Sequence, residues 1–390
     1  MEGDSSGNDK KKTNQPKLPE DLFFDILSRL PVQSLLRFKC VCKSWRSMIS
    51  QPLFIKTHLL QSNRSLSCLR RLLLLKPSDR KITKPQNHSF FSFDFEAPKS
   101  RTKRLQCPTK FSEYFYIKPM CSCDGLILLC LTTLFSISLF LWNPSIRSYK
   151  RIIYPYKLPK IGAGNYGLFY DSTADDYRVL VVLQENETSV LVVAVYSLRN
   201  DFWDIFNDDR YGLWRSSEQD QAIVNRVVHW VMYSRELCLC VIAYFDLAEG
   251  KFKEVPSPSF STEGYLLKLV VLGEFLCMFC DVVGEQILVC AMMEYGKKDS
   301  WTRLFVMPWA IGRGAIERGS RIDTNLVKPL CLTKNGQIVV FIEHRGIIGL
   351  YDLKDSAFSW FDCYHGEMAI PYVETLVSLG RAGNSHNLTV

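Results

Sequence analysis

Paired cysteines are the residues of this chain whose spacing comes nearest to that of a metal site. The chain has 14 cysteines and 6 histidines, and Cys277 and Cys280 form its one Cys-x-x-Cys pair. Zinc sites need a second pair or nearby histidines, and the sequence around this pair offers neither. Its setting, EFLCMFCD, is typical of a β-strand, in which residues three apart point to opposite faces. We therefore predict two buried free thiols and no metal ligands.

The remaining cysteines and the histidines show no catalytic spacing. Three further cysteine pairs are two residues apart, which suits packing on one face of a strand: Cys40/Cys42, Cys121/Cys123 and Cys238/Cys240. The histidines, at 58, 88, 229, 344, 365 and 386, are scattered, and no G-x-S-x-G occurs. Cys–His or Ser–His groups that meet only in space stay open. We predict no catalytic residue and no cofactor.

A glycine-rich motif, GAGNYG with Gly162, Gly164 and Gly167, matches a dinucleotide-binding pattern. That interpretation needs a strand before the motif and a helix after it. Here Lys157-Leu158-Pro159 precedes the motif, and LFYDSTADDYRVL, a strand–turn–strand pattern, follows it. Without a helix N-terminus there is no dipole to hold a pyrophosphate. The motif is therefore interpreted as a loop between two β units.

Composition places these residues in a globular protein. The 390 residues are 47% hydrophobic and 23% charged, with a net charge of +8, which excludes a disordered, collagen-like or coiled-coil chain. The length allows two or three domains, or one large β-domain with a small module. The N-terminus lacks an apolar signal segment, so we expect free thiols in a reducing compartment, the cytoplasm or nucleus.

One uncharged run, from Leu126 to Trp142, tests whether the chain enters a membrane. Its 17 residues lie at the lower limit for a membrane span. Asp124-Gly125 and Asn143-Pro144 bracket the run with turn residues, and it contains Thr and Ser. It is interpreted as a hairpin of two buried strands, with no membrane partner.

Residues 17–60 form a separate segment of short helices divided by prolines. Leu22, Ile26, Leu27 and Leu30 make an apolar stripe on the first helix, and Pro31 ends that helix. A second helix contains Leu35 and Leu36, and a third passes through Trp45 and Ile49 and ends before Pro52. Three helices in about 40 residues are too few to bury their apolar faces alone. They are expected to need a partner.

The string LPEDLFFDILSRLPVQSLLRFKCVCKSW resembles an F-box. The opening Leu-Pro, the Ile-Leu-x-x-Leu-Pro, the Ser-Leu-Leu-Arg-Phe and the Val-Cys-Lys-x-Trp occur without a gap. This resemblance implies a module that binds a Skp/ASK-type adaptor and, through it, the cullin of a ubiquitin ligase complex. The alternative is a helical bundle that packs against the rest of the chain.

The stretch from Arg64 to Lys110 is basic, with twelve Lys or Arg against three acidic residues. The aromatics in SFFSFDF, at 89–95, alternate as in a strand and are expected in the core, whereas a nucleic-acid surface needs aromatics free to stack on bases. A solvated face is favoured over a surface for an acidic partner, and nucleic acid is the least favoured partner.

From about residue 90 the chain repeats a unit in which an aromatic residue, a polar turn and a second aromatic recur about every 50 residues. The first aromatics are Phe93, Trp142, Tyr196, Phe245, Tyr295 and Tyr351, and the second ones include Tyr149, Trp203, Phe252, Trp301 and Phe358. This period matches the blades of a kelch-like β-propeller, of about six blades here. The second aromatics are expected to pack between blades. Two stacked sheets, as in a β-sandwich, are the alternative.

The same repeats are similar to the F-box-associated domain of plant F-box proteins. The similarity includes CDGLILLC, LWNPSIRSYKRI, GLFYDSTADDYRVL, VYSLRNDFW, VVHW and YVETLVSL. The expected organisation is a disordered tail (1–16), the F-box (17–60), a basic connection merging into the first blade (61–110), the propeller (111–380) and a tail (381–390). YVETLVSL, at 372–379, is expected to close the ring by pairing near 70–76 or 126–131.

The resemblance implies a non-catalytic substrate receptor of a Skp–cullin–F-box ligase that presents an unknown protein substrate. The expected adaptor contacts are Leu18, Pro19, Leu22, Ile26, Leu27, Leu30, Pro31, Leu35, Leu36 and Val41, with Trp45 and Ile49 bracing the helices or extending the contact. The expected substrate contacts are aromatic and arginine anchors on loops, namely Trp214, Arg215, Trp309, Arg313 and Arg321. A non-proteolytic scaffold and a propeller that binds glycans or small molecules are the alternatives.

Overall fold

A computed structural model describes residues 19–64, 71–76, 88–97, 101–108, 114, 116–133, 136–155, 164–185, 190–214, 221–258, 267–282, 286–308, 327–343, 345–361 and 366–380. The chain divides into two compact units, Met1–Ser62 and Asn63–Val390. The first unit is helical, and the second is built from β-sheets.

Four helices make up the described part of the N-terminal unit: α1 (Glu20–Ser28), α2 (Val32–Phe38), α3 (Lys43–Ile49) and α4 (Pro52–Arg64). Pro19 and Pro31 precede the first two helices, and the Cys42 sulfur accepts a hydrogen bond from Trp45 N at the start of α3. The sequence predicted three helices for this segment, whereas its described residues form four. Pro52 does follow α3, but it also opens α4, because a proline in the first helical turn costs no intrahelical hydrogen bond.

Aromatic rings hold the helices of this unit together. The ring of Trp45 lies 6.0 Å from that of Phe23 and 5.3 Å from that of Phe38. The rings of Phe24 on α1 and Phe54 on α4 pack edge to face with their centroids 5.2 Å apart, so α4 packs against α1. Ring pairs at these distances stabilise a fold beyond the area that they bury.

The second unit contains 25 strands in six sheets among its described residues. Blade 1 comprises β1 (Arg71–Lys76), β2 (Ser89–Asp94), β3 (Arg101–Arg104) and the last strand, β25 (Met368–Tyr372). Blade 2 comprises β4 (Tyr116–Cys123), β5 (Leu126–Thr132), β6 (Ile137–Asn143) and β7 (Ser148–Ile152). Blade 3 comprises β8 (Gly164–Asp171), β9 (Asp176–Gln184), β10 (Leu191–Ser197) and β11 (Phe202–Asp208).

Blade 4 comprises β12 (Tyr211–Leu213), β13 (Ala222–Val224), β14 (Val227–Ser234), β15 (Leu239–Asp246) and β16 (Lys251–Val255). Blade 5 comprises β17 (Leu267–Leu272), β18 (Phe275–Val282), β19 (Gln286–Met292) and β20 (Trp301–Pro308), with a 3-10 turn at Lys298–Ser300. Blade 6 comprises β21 (Val327–Leu332), β22 (Ile338–Ile342), β23 (Ile347–Asp352) and β24 (Ala357–Trp360). Neighbouring strands within every blade are antiparallel.

The innermost strands of successive blades contact one another around a closed ring. The contacts run from β25 to β4, from β4 to β8, from β8 to β14, from β13 to β17, from β17 to β21 and from β21 back to β25. The second unit is therefore a six-bladed β-propeller, and the β-sandwich alternative is wrong. The expected hairpin of two buried strands at 126–142 is confirmed as β5 and β6.

The ring closes because the last strand joins the first blade. Strand β25 pairs with β1 in antiparallel register from Arg71↔Tyr372 to Leu75↔Met368. The expected partner at 70–76 is confirmed, but the closing strand is Met368–Tyr372, four residues earlier than expected. Such an inner strand is covered by blades on both sides, so its sequence lacks alternation of apolar and polar residues.

Residues 373–380, here called the C-terminal strap, leave the sheet and pack on blade 2. Asn143 Nδ2 donates to the carbonyl oxygens of Thr375 at 3.3 Å and Val377 at 2.7 Å. Gly125 has a φ of +78°, and a Cβ at this position would lie 2.0 Å from Thr375 Cγ2. The strap therefore needs glycine at position 125, both for the backbone conformation and for the close approach.

The repeated aromatics face each other across the two outer strands of four blades. The cross-strand pairs are Trp142↔Tyr149, Tyr196↔Trp203, Phe245↔Phe252 and Tyr351↔Phe358. The indole N–H of Trp203 also donates to Ile153 O at 2.8 Å, and that of Trp301 donates to Pro256 O at 2.7 Å. Each acceptor follows the outer strand of the preceding blade, so the expected contact between blades is confirmed for both tryptophans.

The irregular copies of the repeat depart from the expected pairs. Met292, not Tyr295, lies opposite Trp301. Tyr295 is 40% exposed in the turn that follows β19, so its assignment as a first aromatic is wrong. In blade 1, Phe93 is fully buried but faces Thr102. Met292 can take the place of a first aromatic, and Phe93 can lack a second aromatic opposite it, because neighbouring blades cover both positions.

The cysteine and glycine motifs both lie in strands. Cys277 and Cys280 belong to β18, are buried, and join different hydrophobic clusters on opposite faces of the blade, as predicted. Gly164 and Gly167 belong to the inner strand β8, so the interpretation of these two residues as a loop is wrong; Gly162 lies outside the described residues. A Cβ on Gly167 would lie 3.0 Å from Val228 Cγ2, and this close approach of blades 3 and 4 favours glycine.

The two ends of the propeller differ in how the strands are joined. At one end, the turn face, tight turns such as 124–125, 172–175 and 273–274 join the first two strands of a blade, and 225–226 joins β13 to β14 in blade 4. Polar contacts link blades there: Tyr177 Oη donates to Asp124 Oδ2 at 3.0 Å, and Lys334 N donates to Glu96 Oε1 at 2.8 Å. At the other end, the loop face, the connections between successive blades begin and end.

His229 links blades 4 and 5 at the turn face. It is fully buried, with Nδ1 3.2 Å from Ala222 O and Nε2 2.7 Å from Tyr295 Oη. A neutral ring that donates through Nδ1 and accepts at Nε2 satisfies both nitrogens. Burial lowers the pKa of His229 to about 4.

We therefore expect the propeller to lose stability as the pH falls from about 6.5 towards 4. Over this range the unfolded chain binds a proton at His229 and the folded chain does not, at a cost of up to about 3 kcal/mol. Denaturant unfolding at several pH values should show a shallower acid-side slope for His229→Gln than for the parent. Equal slopes would show that His229 does not contribute.

Candidate functional site

An exposed apolar surface on the helical unit is the first candidate site. Leu22 and Ile26 are four residues apart on α1, and half of each side chain is exposed, whereas Val41, after α2, is 63% exposed. Leu30 and Leu36 are half-buried. Large aliphatic side chains exposed on or beside short helices are typical of a protein-binding surface.

The other residues expected to contact the adaptor have different positions. Leu27, Leu35 and Ile49 are buried, so their side chains are not available at the surface of this chain. Trp45 packs against Phe23 and Phe38, as in the bracing alternative. Pro19 and Pro31 are exposed at helix starts, and Leu18 lies outside the described residues.

A cavity on the loop face, between blades 3 and 4, is the second candidate site. It has a volume of about 450 Å³. The described residues that line it are Gln184, Gly212, Leu213, Trp214, Tyr233 and Arg235. Gln184 ends β9, Gly212 and Leu213 lie in β12, and Tyr233 lies near the end of β14. Strands of two blades therefore hold the cavity on a rigid frame.

Aromatic and polar groups define this cavity. The rings of Trp214 and Tyr233 are nearly parallel, at an angle of 16° with centroids 6.5 Å apart. Gln184 Oε1 accepts from Leu213 N at 3.1 Å, which joins the two blades. Arg235 Nε donates to Tyr211 O at 3.1 Å, and Arg235 also lines the cavity.

Of the residues expected to contact substrate, Trp214 is in the cavity wall. Arg215, Trp309, Arg313 and Arg321 lie outside the described residues, although the strands that flank them, β12, β20 and β21, have their nearer ends at the loop face. No sequence pattern pointed to Tyr233, Arg235 or Gln184, since none of them follows the repeat. Gly212 had no signal either.

Three lysines lie near the loop-face ends of inner strands. Lys118 is the third residue of β4, and Lys268 and Lys328 are the second residues of β17 and β21. Lys268 and Lys328 are buried, and burial also lowers the pKa of Lys118. A lysine in an otherwise apolar strand, as in LKLVVL and VKPLCL, is a signal that could have found them.

Burial disfavours the thiolate form of the buried cysteines. Burial raises the pKa of both Cys121 and Cys277 to about 12, whereas a reactive cysteine has a lowered pKa. Within the described ranges no group of three or more His, Cys, Asp or Glu could hold a metal ion. No described helix is long and apolar enough to cross a membrane.

Comparison with known proteins shows two matching families. Residues 16–57 match the F-box domain, and residues 78–379 match the F-box associated beta propeller domain. The F-box/kelch-repeat protein At3g23880 of Arabidopsis thaliana is 28% identical over 354 residues, which cover 88% of this chain and 90% of that protein. The F-box protein CPR1 of the same plant is 27% identical over 405 residues, which cover 95% of this chain and 91% of that protein.

Proposed function

Because the chain belongs to the F-box proteins that contain an F-box associated beta propeller domain, we propose that it is the substrate-recognition subunit of a Skp–cullin–F-box ubiquitin ligase. In this proposal the F-box helices bind a Skp/ASK-type adaptor, which connects the chain to a cullin. The propeller binds the protein to be ubiquitinated.

The exposed aliphatic side chains on α1 and just after α2 are the observation that supports adaptor binding. Leu22, Ile26 and Val41 would each be covered by the adaptor, which removes apolar area from water at about 25 cal/mol per Å². The buried residues Leu27, Leu35 and Ile49 would act indirectly, since they hold the helices that present this surface.

The rigid frame of the propeller supports the proposed binding of a substrate protein. A closed ring fixes the loop face, and strands of two blades line the cavity there. The chain itself would supply no acid, base or nucleophile. It would accelerate ubiquitin transfer by holding a substrate lysine at high effective concentration near the ubiquitin-charged enzyme.

Adaptor capture tests the proposal directly. Replacing Leu22 and Ile26 by Ala should weaken adaptor binding about 100-fold, if each side chain contributes about 1.4 kcal/mol as an interface anchor. Both side chains are half exposed, so the variant should fold normally. Pull-down of a Skp/ASK-type adaptor, followed by titration calorimetry, measures the loss.

A matched control is available on the propeller. Leu304 and Leu353 are also exposed leucines, and their double replacement by Ala should leave adaptor binding unchanged. Full adaptor binding by the folded Leu22→Ala, Ile26→Ala variant would contradict the proposal. The half-life of captured partners, with and without this variant, separates a proteolytic role from that of a scaffold.

A further inference from the structure

We propose that β11, the outer strand of blade 3, adds an extended segment of the substrate protein to its sheet, and that this segment places a lysine or arginine opposite Asp204. The inference rests on the proposed role as a substrate receptor and adds the chemistry that the receptor recognises. It follows from the open edge of β11, from the apolar side chains exposed along it and from its negative charge.

Strand β11 forms the outer edge of its sheet. The strand order in blade 3 is β11-β10-β9-β8, and β11 pairs with β10 in unbroken antiparallel register, from Phe202↔Ser197 to Asp208↔Leu191. In an antiparallel pair, alternate residues of an edge strand point their N–H and C=O groups away from the partner strand. No described residue forms a hydrogen bond to these outward groups of β11. The edge therefore presents a row of backbone donors and acceptors to a further strand.

The outer strands of the other blades have features that hinder such pairing. Natural sheets protect their edges with short strands, lysines and β-bulges. The outer strands of blades 1, 2 and 4, RTKR, SYKRI and KFKEV, have at most five residues and at least two basic ones, and that of blade 6 has four residues. The outer strand of blade 5 is longer, but its pairing with β19 shifts register between Val289 and Cys290. Strand β11, FWDIFND, has seven residues, no basic side chain and no shift, so it is the outer strand best suited to strand addition.

Apolar side chains are exposed along this edge. Phe202 is 61% exposed and Ile205 is 46% exposed, and the two point to opposite faces of β11 because side chains alternate along a strand. Ile153, which follows the outer strand of blade 2, is 80% exposed. Its carbonyl oxygen accepts from Trp203 Nε1 at 2.8 Å, which places the Ile153 backbone beside the face of β11 that carries Trp203 and Ile205. An added strand with apolar residues at alternate positions would cover the exposed side chains of β11.

The charge of β11 determines which segment fits. Asp201, just before the strand, pairs with Lys150 at 3.2 Å, and Asp208, at its end, pairs with Arg210 at 2.6 Å. Asp204, near the middle of the strand, is exposed and forms no ion pair with a described residue. Two copies of β11 would bring only acidic residues together, whereas a cationic residue directly opposite Asp204 stabilises a strand pair. Charge therefore favours a basic segment over a second copy of this chain.

Selection of peptides against the full chain, co-purified with a Skp/ASK-type adaptor, tests this inference. The probe is a phage-displayed library of random 12-residue peptides, and the selected peptides should combine Lys or Arg with apolar residues at alternate positions. Synthetic copies are then methylated at one backbone nitrogen at a time, and their binding is measured by fluorescence anisotropy. Methylation should weaken binding about 10-fold at alternate positions and little at the positions between them, because an added strand uses alternate N–H groups.

Variants of β11 locate the binding site. Asp204→Lys should weaken binding of a basic peptide about 10-fold, because it turns an opposite-charge pair into a like-charge pair. Changing the basic residue of the peptide to glutamate should restore binding to this variant. Ile205→Lys should also weaken binding about 10-fold, since a lysine on an edge strand hinders pairing. The matched control is Leu304→Lys, at a similarly exposed position of the outer strand β20, which should leave binding unchanged.

Three results would overturn the inference. The first is a methylation profile without a period of two residues, and the second is undiminished peptide binding by folded Asp204→Lys and Ile205→Lys variants. The third is a dimer of the parent chain that Ile205→Lys dissociates in sedimentation equilibrium, since the occupant would then be a second copy. Adaptor capture is measured separately. A chain that binds the peptides but no adaptor would refute the proposed function alone, and a chain that captures the adaptor but selects no peptide would refute this inference alone.

Discussion

A chain that ends at Gly366 should fail to form a stable propeller. This truncation removes β25, whose residues Met368, Ile370 and Tyr372 are buried. At about 1.5–3 kcal/mol for each large apolar side chain, the loss approaches the whole stability of a typical domain, about 5–15 kcal/mol. It also exposes the edge of β1, a row of unpaired backbone groups that promotes aggregation.

Chains that end at three different residues should lose stability by increasing amounts. A chain ending at Gly380 keeps every described contact and should melt like the full chain. A chain ending at Tyr372 keeps β25 but loses the C-terminal strap and its hydrogen bonds to Asn143, so its melting temperature should be intermediate. Thermal unfolding and size-exclusion chromatography measure the three outcomes. A Gly366 truncation that stays monomeric and melts normally would contradict closure by β25.

Replacement of the inter-blade tryptophans should have the second large effect. Trp203→Ala and Trp301→Ala should each lower the free energy of unfolding by about 2–4 kcal/mol, because each ring is half-buried and each indole N–H bonds to the preceding blade. Denaturant unfolding followed by circular dichroism measures the change.

Two companion variants separate the causes. Trp203→Phe keeps the ring opposite Tyr196 but loses the hydrogen bond to Ile153 O, and it should cost about 1 kcal/mol. Phe202→Ala removes the adjacent ring, which is 61% exposed, and should cost at most about 0.5 kcal/mol. If Trp203→Ala cost no more than Phe202→Ala, the repeat would have no role in holding blades together.

The sequence predicted the blades well because the repeated spacing of aromatics reflects a cross-strand contact that recurs in four blades. Trp142 and Tyr149, for example, are seven residues apart since a short turn brings them opposite each other. The inner strands could not be predicted in the same way. Strand β25, MAIPY, contains Pro371, and proline is tolerated there because an inner strand is the edge of its sheet. The alternating pattern of 372–379 therefore led to the wrong segment.

The candidate sites, too, could be predicted only where a local sequence pattern encodes them. The apolar stripe of α1 could be predicted, because helical periodicity separates its faces, but periodicity did not show that Leu27 is buried while Ile26 is half exposed. Trp214 was found through its residue type. Tyr233 and Arg235 could not be found, because their meeting with Gln184 depends on how two blades pack, which no local pattern encodes.

The pairing of β1 with β25 also sets the order of events during synthesis on the ribosome. Translation of the interval between Lys76 and Met368 takes on the order of 15 to 60 s, at about 5–20 residues per second. Throughout this time β1 lacks its inner neighbour, so the nascent chain offers an open strand edge to chaperones. A message truncated between the codons for Arg64 and Met368 yields a chain with its F-box sequence intact but no closed propeller. Under the proposed function, such a product would compete for the adaptor while presenting no closed propeller, so its removal by quality control would matter.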